Sequence, residues 1–469
     1  MPLPTIPSGN VASATASTTY DVDNSCRFND GDSPSMTKTM VAGSTDFAKK
    51  FTISAWIKLG ATGTRRIICS FGSGTTDAID FEINSSNQPS FESWDGSVNP
   101  KITSTRFLRD HSAWYHMYIA VDTTQATDTN RMKMYINGVQ ETAFTSSVYP
   151  AEDYLFPGIG TTNDTMKIGN GAQYTSNYFD GYMAEFCYCD AQIIAVTDFG
   201  EFDSDSPTIW KPKDVSGLIF GNAGTYCDFQ DSDNLGDDES GNTNDLTENN
   251  IAAADQATDT PTNNFCTGNP MIHGSKLPTL SEGNCLFVSA SDWDHVPSTM
   301  GVANGKWYAE FKCVAKTGGQ MMGVIDSGHI AGWGASPPLY VGNAALGHCY
   351  QDNGNKQTGD SATSYGATYT AGDIIGAALN ADDGEITFYK NNAVQDSGTA
   401  ITLPTSASSD GIWFWLPSVE TGTIAANWGG CSAFALSSAA QDENGYGNFE
   451  YAPPSSYLAL CSKNLGEEG

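Results

Sequence analysis

Asp80 and Glu82 stand two apart in the run Ala78-Ile79-Asp80-Phe81-Glu82. On a strand that spacing points both carboxyls to one face, while Ile79, Phe81 and Ile83 point to the other. Paired carboxyls about 5–5.5 Å apart are the working groups of retaining glycoside hydrolysis. Other bond-breaking constellations are missing. The sequence has no G-x-S-x-G elbow, no H-E-x-x-H and no G-x-x-x-x-G-K-[ST] phosphate loop. Its six histidines, His111, His116, His273, His295, His329 and His348, lack metal-ligand spacing. His116 lies among aromatics in an apolar run and reads as a packed side chain.

A second chemistry is recognition. Sugars stack their apolar faces on aromatic rings and offer hydroxyls to polar side chains. The aromatic candidates are those expected in loops. Trp94 lies in SFESWDGSVN with Asp95 and Asn99, and Tyr174 and Tyr178 lie in GAQYTSNYFDG. Trp293 lies in SASDWDH, and Trp333 and Tyr340 in AGWGASPPLY. The competing reading of each is ordinary packing, because sandwiches bury many aromatics. Trp307, Trp413 and Trp415 fall within strand patterns and are assigned to the interior. Asp231, Asp233 and Gly236 outline a Ca²⁺ loop, but Leu235 stands where an oxygen ligand is needed and Asn242 where the closing Glu is needed.

The elements that must position these residues are strands. Charged residues are only 16% of the 469, against 48 Gly, which suits a turn-rich all-β chain and not a helical bundle. FTISAWIKLG places Phe51, Ile53, Ala55, Ile57 and Leu59 on one face. AWYHMYIAVD is apolar on both faces, so it reads as a central strand. Asn137-Gly138, Asp383-Gly384 and Asn391-Asn392 are tight-turn signals between strands. The 11 Cys are scattered; Cys187 and Cys189 share one face of an apolar strand and read as reduced core thiols.

The expected fold class is therefore all-β: two antiparallel, jelly-roll-like β-sandwich domains joined by an acidic, loop-rich connector. Residues 1–21, with three prolines and nothing to bury, form an extended arm. The first sandwich is expected over 22–200, the connector over 201–279 and the second sandwich over 280–469. The formal net charge of -32 argues against a nucleic-acid partner, which needs clustered Lys and Arg. No apolar run reaches membrane-spanning length, so no membrane insertion is expected. The first 20 residues lack the basic start and apolar segment of a secretion signal, which places synthesis in a cytosol.

Several of these segments carry resemblances. FTISAWIK, AWYHMYIAVD with MKMYINGVQ, and YFDGYMAEF, in this order, resemble the laminin-G-like branch of the concanavalin-A-like lectin/glucanase sandwiches. GKWYAEF, GDIIGAALNADDGEITFYKNN, FWLPSVE and NWGG resemble a SPRY (B30.2-like) domain. The closing FEYAPPSSYLALCSKNL and the acidic stretch before Phe265 look like segments of tailed-phage virion proteins, marine ones especially. The resemblance implies a virion surface protein, assembled in the host cytoplasm: a tail fibre, head fibre or decoration protein. It implies host cell-surface glycan and other virion proteins as partners, a homo-oligomer (a trimer by analogy), and Ca²⁺ as a lectin-type cofactor with no ligands assigned. The glucanase branch carries Glu-apolar-Asp-apolar-Glu where this chain has Ala78, Asp80 and Glu82. With Ala78 at the nucleophile's place, the expectation is a binding protein that is not an enzyme. A purely structural virion role and a glycan depolymerase are the alternatives.

Overall fold

The computed structural model describes residues 20–41, 46–60, 64–74, 77–96, 99–160, 164–172, 176–272, 277–330, 340–405 and 409–468. The chain divides into two compact units, the first ending at Thr262 and the second beginning at Asn263.

The first unit has strands β1 Ser25–Phe28, β2 Ser35–Thr39, β3 Lys50–Leu59, β4 Arg66–Gly74, β5 Asp77–Ile83, β6 Pro89–Trp94, β7 Lys101–Ser104, β8 Trp114–Asp122, β9 Met132–Ile136, β10 Val139–Gln140, β11 Phe144–Val148, β12 Thr165–Ile168, β13 Gly181–Asp190, β14 Gly200–Phe202, β15 Trp210–Pro212, β16 Thr225–Cys227, β17 Thr247–Asn249 and β18 Gln256–Ala257. One sheet runs β10-β9-β8-β3-β13-β1-β18, with β16 also on β13. The second runs β11-β7-β6-β5-β4-β12-β2-β17. All pairings in both are antiparallel. Phe51, Ile53, Ile57, Met117, Ile119 and Met183 of the first sheet meet Phe71, Ile79, Phe81, Phe91, Ile102 and Met166 of the second in one core. The alternation read along β3, β5 and β8 is the alternation that packs.

The apolar second side of β8 has its own cover. Tyr118 and Ala120, with Cys187 and Cys189 of β13, pack under Phe199, Val215, Phe220 and Tyr226. Trp210 stacks on His116 at 5.9 Å and 25° and donates its Nε1–H to His116 Nδ1 at 3.1 Å. Ser54 Oγ lies 2.8 Å from His116 Nε2. Burial lowers the His116 pKa to about 3, so the ring is a neutral packed group. The hairpin turn between β9 and β10 has Asn137 at φ 48° and Gly138 at φ 74°. A Cβ at Gly138 would also stand 2.3 Å from the Trp210 ring, so glycine is required there twice over.

Residues 201–279 are not a separate connector. Within them β16 pairs β13, β17 pairs β2 and β18 pairs β1, so the stretch to Thr262 completes the first unit. Asp259 is the buried end of this closure: its carboxylate takes Lys58 Nζ at 2.6 Å and Trp114 Nε1 at 3.0 Å. The remainder belongs to the second unit, where Phe265 and Cys266 are interior. Strands of two or three residues are too short to show a period, and an acidic loop hides the few side chains that anchor it.

The second unit is again an antiparallel sandwich, apart from one parallel pairing. Its larger sheet orders Thr279–Ser281, Leu286–Ser289, Gly422–Asn427, Lys306–Lys316, Ile374–Asn380, Glu385–Lys390 and Ala393–Val394, with Ile401–Thr402 and the parallel Leu458–Ala459 attached. The other orders Asp294–His295, Ser418–Val419, Gln320–Asp326, Gly347–Gln351, Asn355–Thr358 and Ser361–Ser364, with Trp413–Trp415 and Gly301–Val302 beside it. Trp307, Phe311, Met322, Tyr350, Phe388, Trp413 and Trp415 fill its core. All 11 Cys of the chain are buried.

Candidate functional site

The side chains of β5 that do not enter the core define the site. Asp80 pairs in register with Glu92 of β6, Glu92 with Lys101 of β7, and Lys101 with Val148 of β11. In the other direction Asp80 faces Ser70 of β4, Ser70 faces Lys167 of β12, Lys167 faces Thr37 of β2 and Thr37 faces Thr247 of β17. Register partners share a face, so one row of mostly polar side chains crosses all eight strands opposite the core. Trp94, two residues beyond Glu92, stands on the same face in the next row, opposite Ala78.

Arg65, just before β4, holds the middle of the row. Its Nη2 donates to Asp80 Oδ2 at 2.9 Å and to Glu92 Oε1 at 2.6 Å, and its Nε donates to Glu82 Oε2. Ser70 Oγ donates to Asp80 Oδ1 at 2.6 Å, and Lys101 Nζ to Glu92 Oε2 at 2.5 Å. Asp80 and Glu82 are buried, whereas Glu92 keeps 27% and Lys101 38% of side-chain exposure. Burial pushes the Glu82 carboxyl up to about 7, helped by the Glu92 and Asp80 charges and opposed by Arg65. Burial also raises Asp80, against the pull of Ser70 and Arg65.

Each expected site residue has a definite place. Trp94 ends a strand, not a loop, because β6 extends through it; it is 52% exposed. Asp95 accepts the Tyr154 hydroxyl at 2.6 Å. Asn99 and Tyr178 are half-buried. At β4 the Ala172 N–H donates to Ser70 Oγ at 2.8 Å, and Ser70 is fully buried. On the Trp94 side of this buried middle, Glu92, Lys101 and Val148 of β6, β7 and β11 keep exposure; on the other side Lys167 and Thr37 are half-buried and Thr247 is exposed. In the second unit Trp293 and Tyr340 pack ring on ring at 4.8 Å, and Tyr340 donates to Asp360 Oδ1 at 2.9 Å. Tyr174 and Trp333 lie outside the described residues.

Arg65, Glu92 and Lys101 were not singled out from sequence. Glu92 had a signal, since it is two residues from Trp94 in an alternating segment. Arg65 and Lys101 had none, because cross-strand register decides who meets whom. The outlined Ca²⁺ loop does not assemble a donor set: Asp231 accepts the Asp233 N–H at 2.9 Å, Leu235 is buried in the core, and Asn242 donates to the Gly221 carbonyl at 2.6 Å. Among the described residues, the acidic group compact enough for one ion is Asp80, Glu82 and Glu92. Arg65 already stands on all three.

Fold and site together define an all-β protein with two sandwich units of binding type. The model of the concanavalin A-like lectin/glucanases superfamily matches residues 31–190, and that of the SPRY domain matches residues 316–409. The chain thus combines a laminin-G-like domain with a SPRY domain, both typically non-catalytic. A curated relative, the ATP-dependent RNA helicase DDX1 of Xenopus laevis, is 30% identical over 139 residues, which is 29% of this chain and 17% of that protein. That match lies in the SPRY region. Among solved structures, the chain is similar to stonustoxin (18% identity, 34% of this chain and 27% of that one, TM-score 0.27). It is also similar to the SPRY domain of human HERC1 (15% identity, 32% and 94%, TM-score 0.24). A third is the heptameric SAP-like pentraxin of Limulus polyphemus (14% identity, 38% and 80%, TM-score 0.28).

Proposed function

We propose that this chain is a non-catalytic recognition protein of a virion surface, and that its first unit binds host glycan on the face of β5, β6 and β7 away from the core. The observation that carries the glycan reading is Trp94. Its ring is half exposed on a sheet face, beside the Glu92 and Lys101 pair. An exposed indole costs hydrophobic free energy unless it gains a partner, and a sugar ring with charged hydrogen-bonding groups next to it is a suitable one. Against catalysis stands the Ala78 methyl in the place of the glucanase nucleophile, directly across from Trp94.

The virion assignment is supported by the likeness of the acidic stretch and the C-terminal segment to tailed-phage proteins. Tail fibre, head fibre and decoration protein are the positions it allows. The Trp293 and Tyr340 pair favours a contact of the second unit with another virion protein, since an aromatic pair with polar neighbours is a typical anchor at protein interfaces. A trimer is the proposed assembly, by analogy with fibres.

A glycan array and a host-cell adsorption assay with the full chain test this reading. Trp94→Ala is expected to weaken retention about tenfold, the loss of one stacked ring. Full retention by that variant, or no retention of any glycan by the wild type, sinks the glycan reading. New reducing ends released from host polysaccharide by the wild type would show an enzyme instead.

A further inference from the structure

We infer that the Asp80, Glu82 and Glu92 cluster is a metal-free site with Arg65 as its built-in cation, and that Arg65 positions Glu92 and Lys101 toward the ligand; the second half of this rests on the glycan reading above. One carboxylate oxygen from each of the three acids lies within 4.8 Å of the other two. Charges that close repel strongly unless a cation stands among them. A Ca²⁺ ion is one solution, but it needs six to eight oxygen ligands.

The chain supplies the other solution. The Arg65 guanidinium donates to all three acids through Nε and Nη2. A guanidinium never loses its charge, is weakly hydrated and presents donors in a fixed fork, so it suits a partly buried set of acids better than a lysine does. The remaining acceptor sites are largely taken as well: Ser70 Oγ holds Asp80 Oδ1, and Lys101 holds Glu92 Oε2. A metal could enter only by expelling the partly buried Arg65 from two buried carboxylates, breaking ion pairs that are costly to break. What the site offers to a ligand is therefore the exposed edge of Glu92, the Lys101 ammonium and the Trp94 ring.

The test is calorimetric titration of calcium chloride into four full-length proteins: wild type, Glu92→Gln, Arg65→Met, and the double variant. Wild type and Glu92→Gln are expected to take up equal calcium. Arg65→Met is expected to gain one ion, which the double variant lacks. A calcium ion held by the wild type and lost in Glu92→Gln overturns the inference, and so does an Arg65→Met protein with no added uptake. If Arg65→Met fails to fold, the comparison of wild type with Glu92→Gln still decides. In the second arm, wild-type retention on the best glycan of the array is expected to be unchanged by EGTA. It should fall about tenfold in Arg65→Met and recover in part in Arg65→Lys. Retention abolished by EGTA overturns the inference while leaving the glycan reading intact. With no retained glycan at all, that reading fails and the calcium titration alone judges the site.

Discussion

Glu310 shows how one buried acid sets the response of its unit to pH. It accepts the Glu450 and Tyr451 backbone N–H groups at 2.8 Å each, Asn427 Nδ2 at 3.2 Å and the Tyr308 hydroxyl at 3.3 Å. These donors favour the charged form, yet burial outweighs them and raises the carboxyl to about 7. Glu82 in the first unit also rises to about 7, and Glu185, held by the Tyr20 and Tyr226 hydroxyls, to about 8, burial being the main cause in each. A raised acid binds more protons folded than unfolded, so its contribution is full below the unfolded value of ~4.3 and is lost as pH climbs to the native value. The unfolding temperature is expected to decline between about pH 5 and about pH 7, and Glu310→Gln should flatten that decline. A slope unaltered in the variant removes Glu310 from the explanation. Sequence gave part of this scale. Asp80 and Glu82 on one face, and the packed role of His116, follow from a period of two. That Arg65 meets three acids does not, because it depends on where three separate strands stop and start.

Elements were most legible where the turn chemistry is strict. Asn137-Gly138 and Asn391-Asn392 both turn with positive φ, as such pairs do between strands. Gly138→Ala tests the first of these. Alanine there must hold φ 74° and push against the Trp210 ring, a loss of about 2 kcal/mol or more, read as a lowered midpoint in chemical denaturation. A neutral result would mean that the segment carrying Trp210 yields easily. Legibility failed at Trp94, a sugar-stacking candidate expected in a loop. The strand runs through it and puts the ring on the sheet face beside Glu92.

At the scale of the molecule, the two sandwiches were readable, and the limit of the first was not. The acidic segment after Phe199 has little period, but it supplies three strands to the two sheets, a cover for the back of one of them, and Asp259. Removing the Asp259 charge takes from the buried Lys58 the carboxylate it pairs with at 2.6 Å, and breaking such a buried pair costs about 3–5 kcal/mol. Asp259→Asn is accordingly expected to lower the unfolding temperature of the first unit strongly. A chain ending near Asp190, where the family match stops, should fail to give a soluble fold, whereas one ending at Thr262 should succeed; equal solubility of the two would contradict this closure. The row across the second sheet has one more consequence. Its side chains advance one strand at a time, at a pitch of ~4.8 Å. The exposed stretch from Val148 to Glu92 spans three strands and so measures about 10 Å from end to end. On the proposed glycan reading it would act as a ruler: an extended polymer would meet a new side chain at every step until that length is filled, and a longer chain would add nothing further.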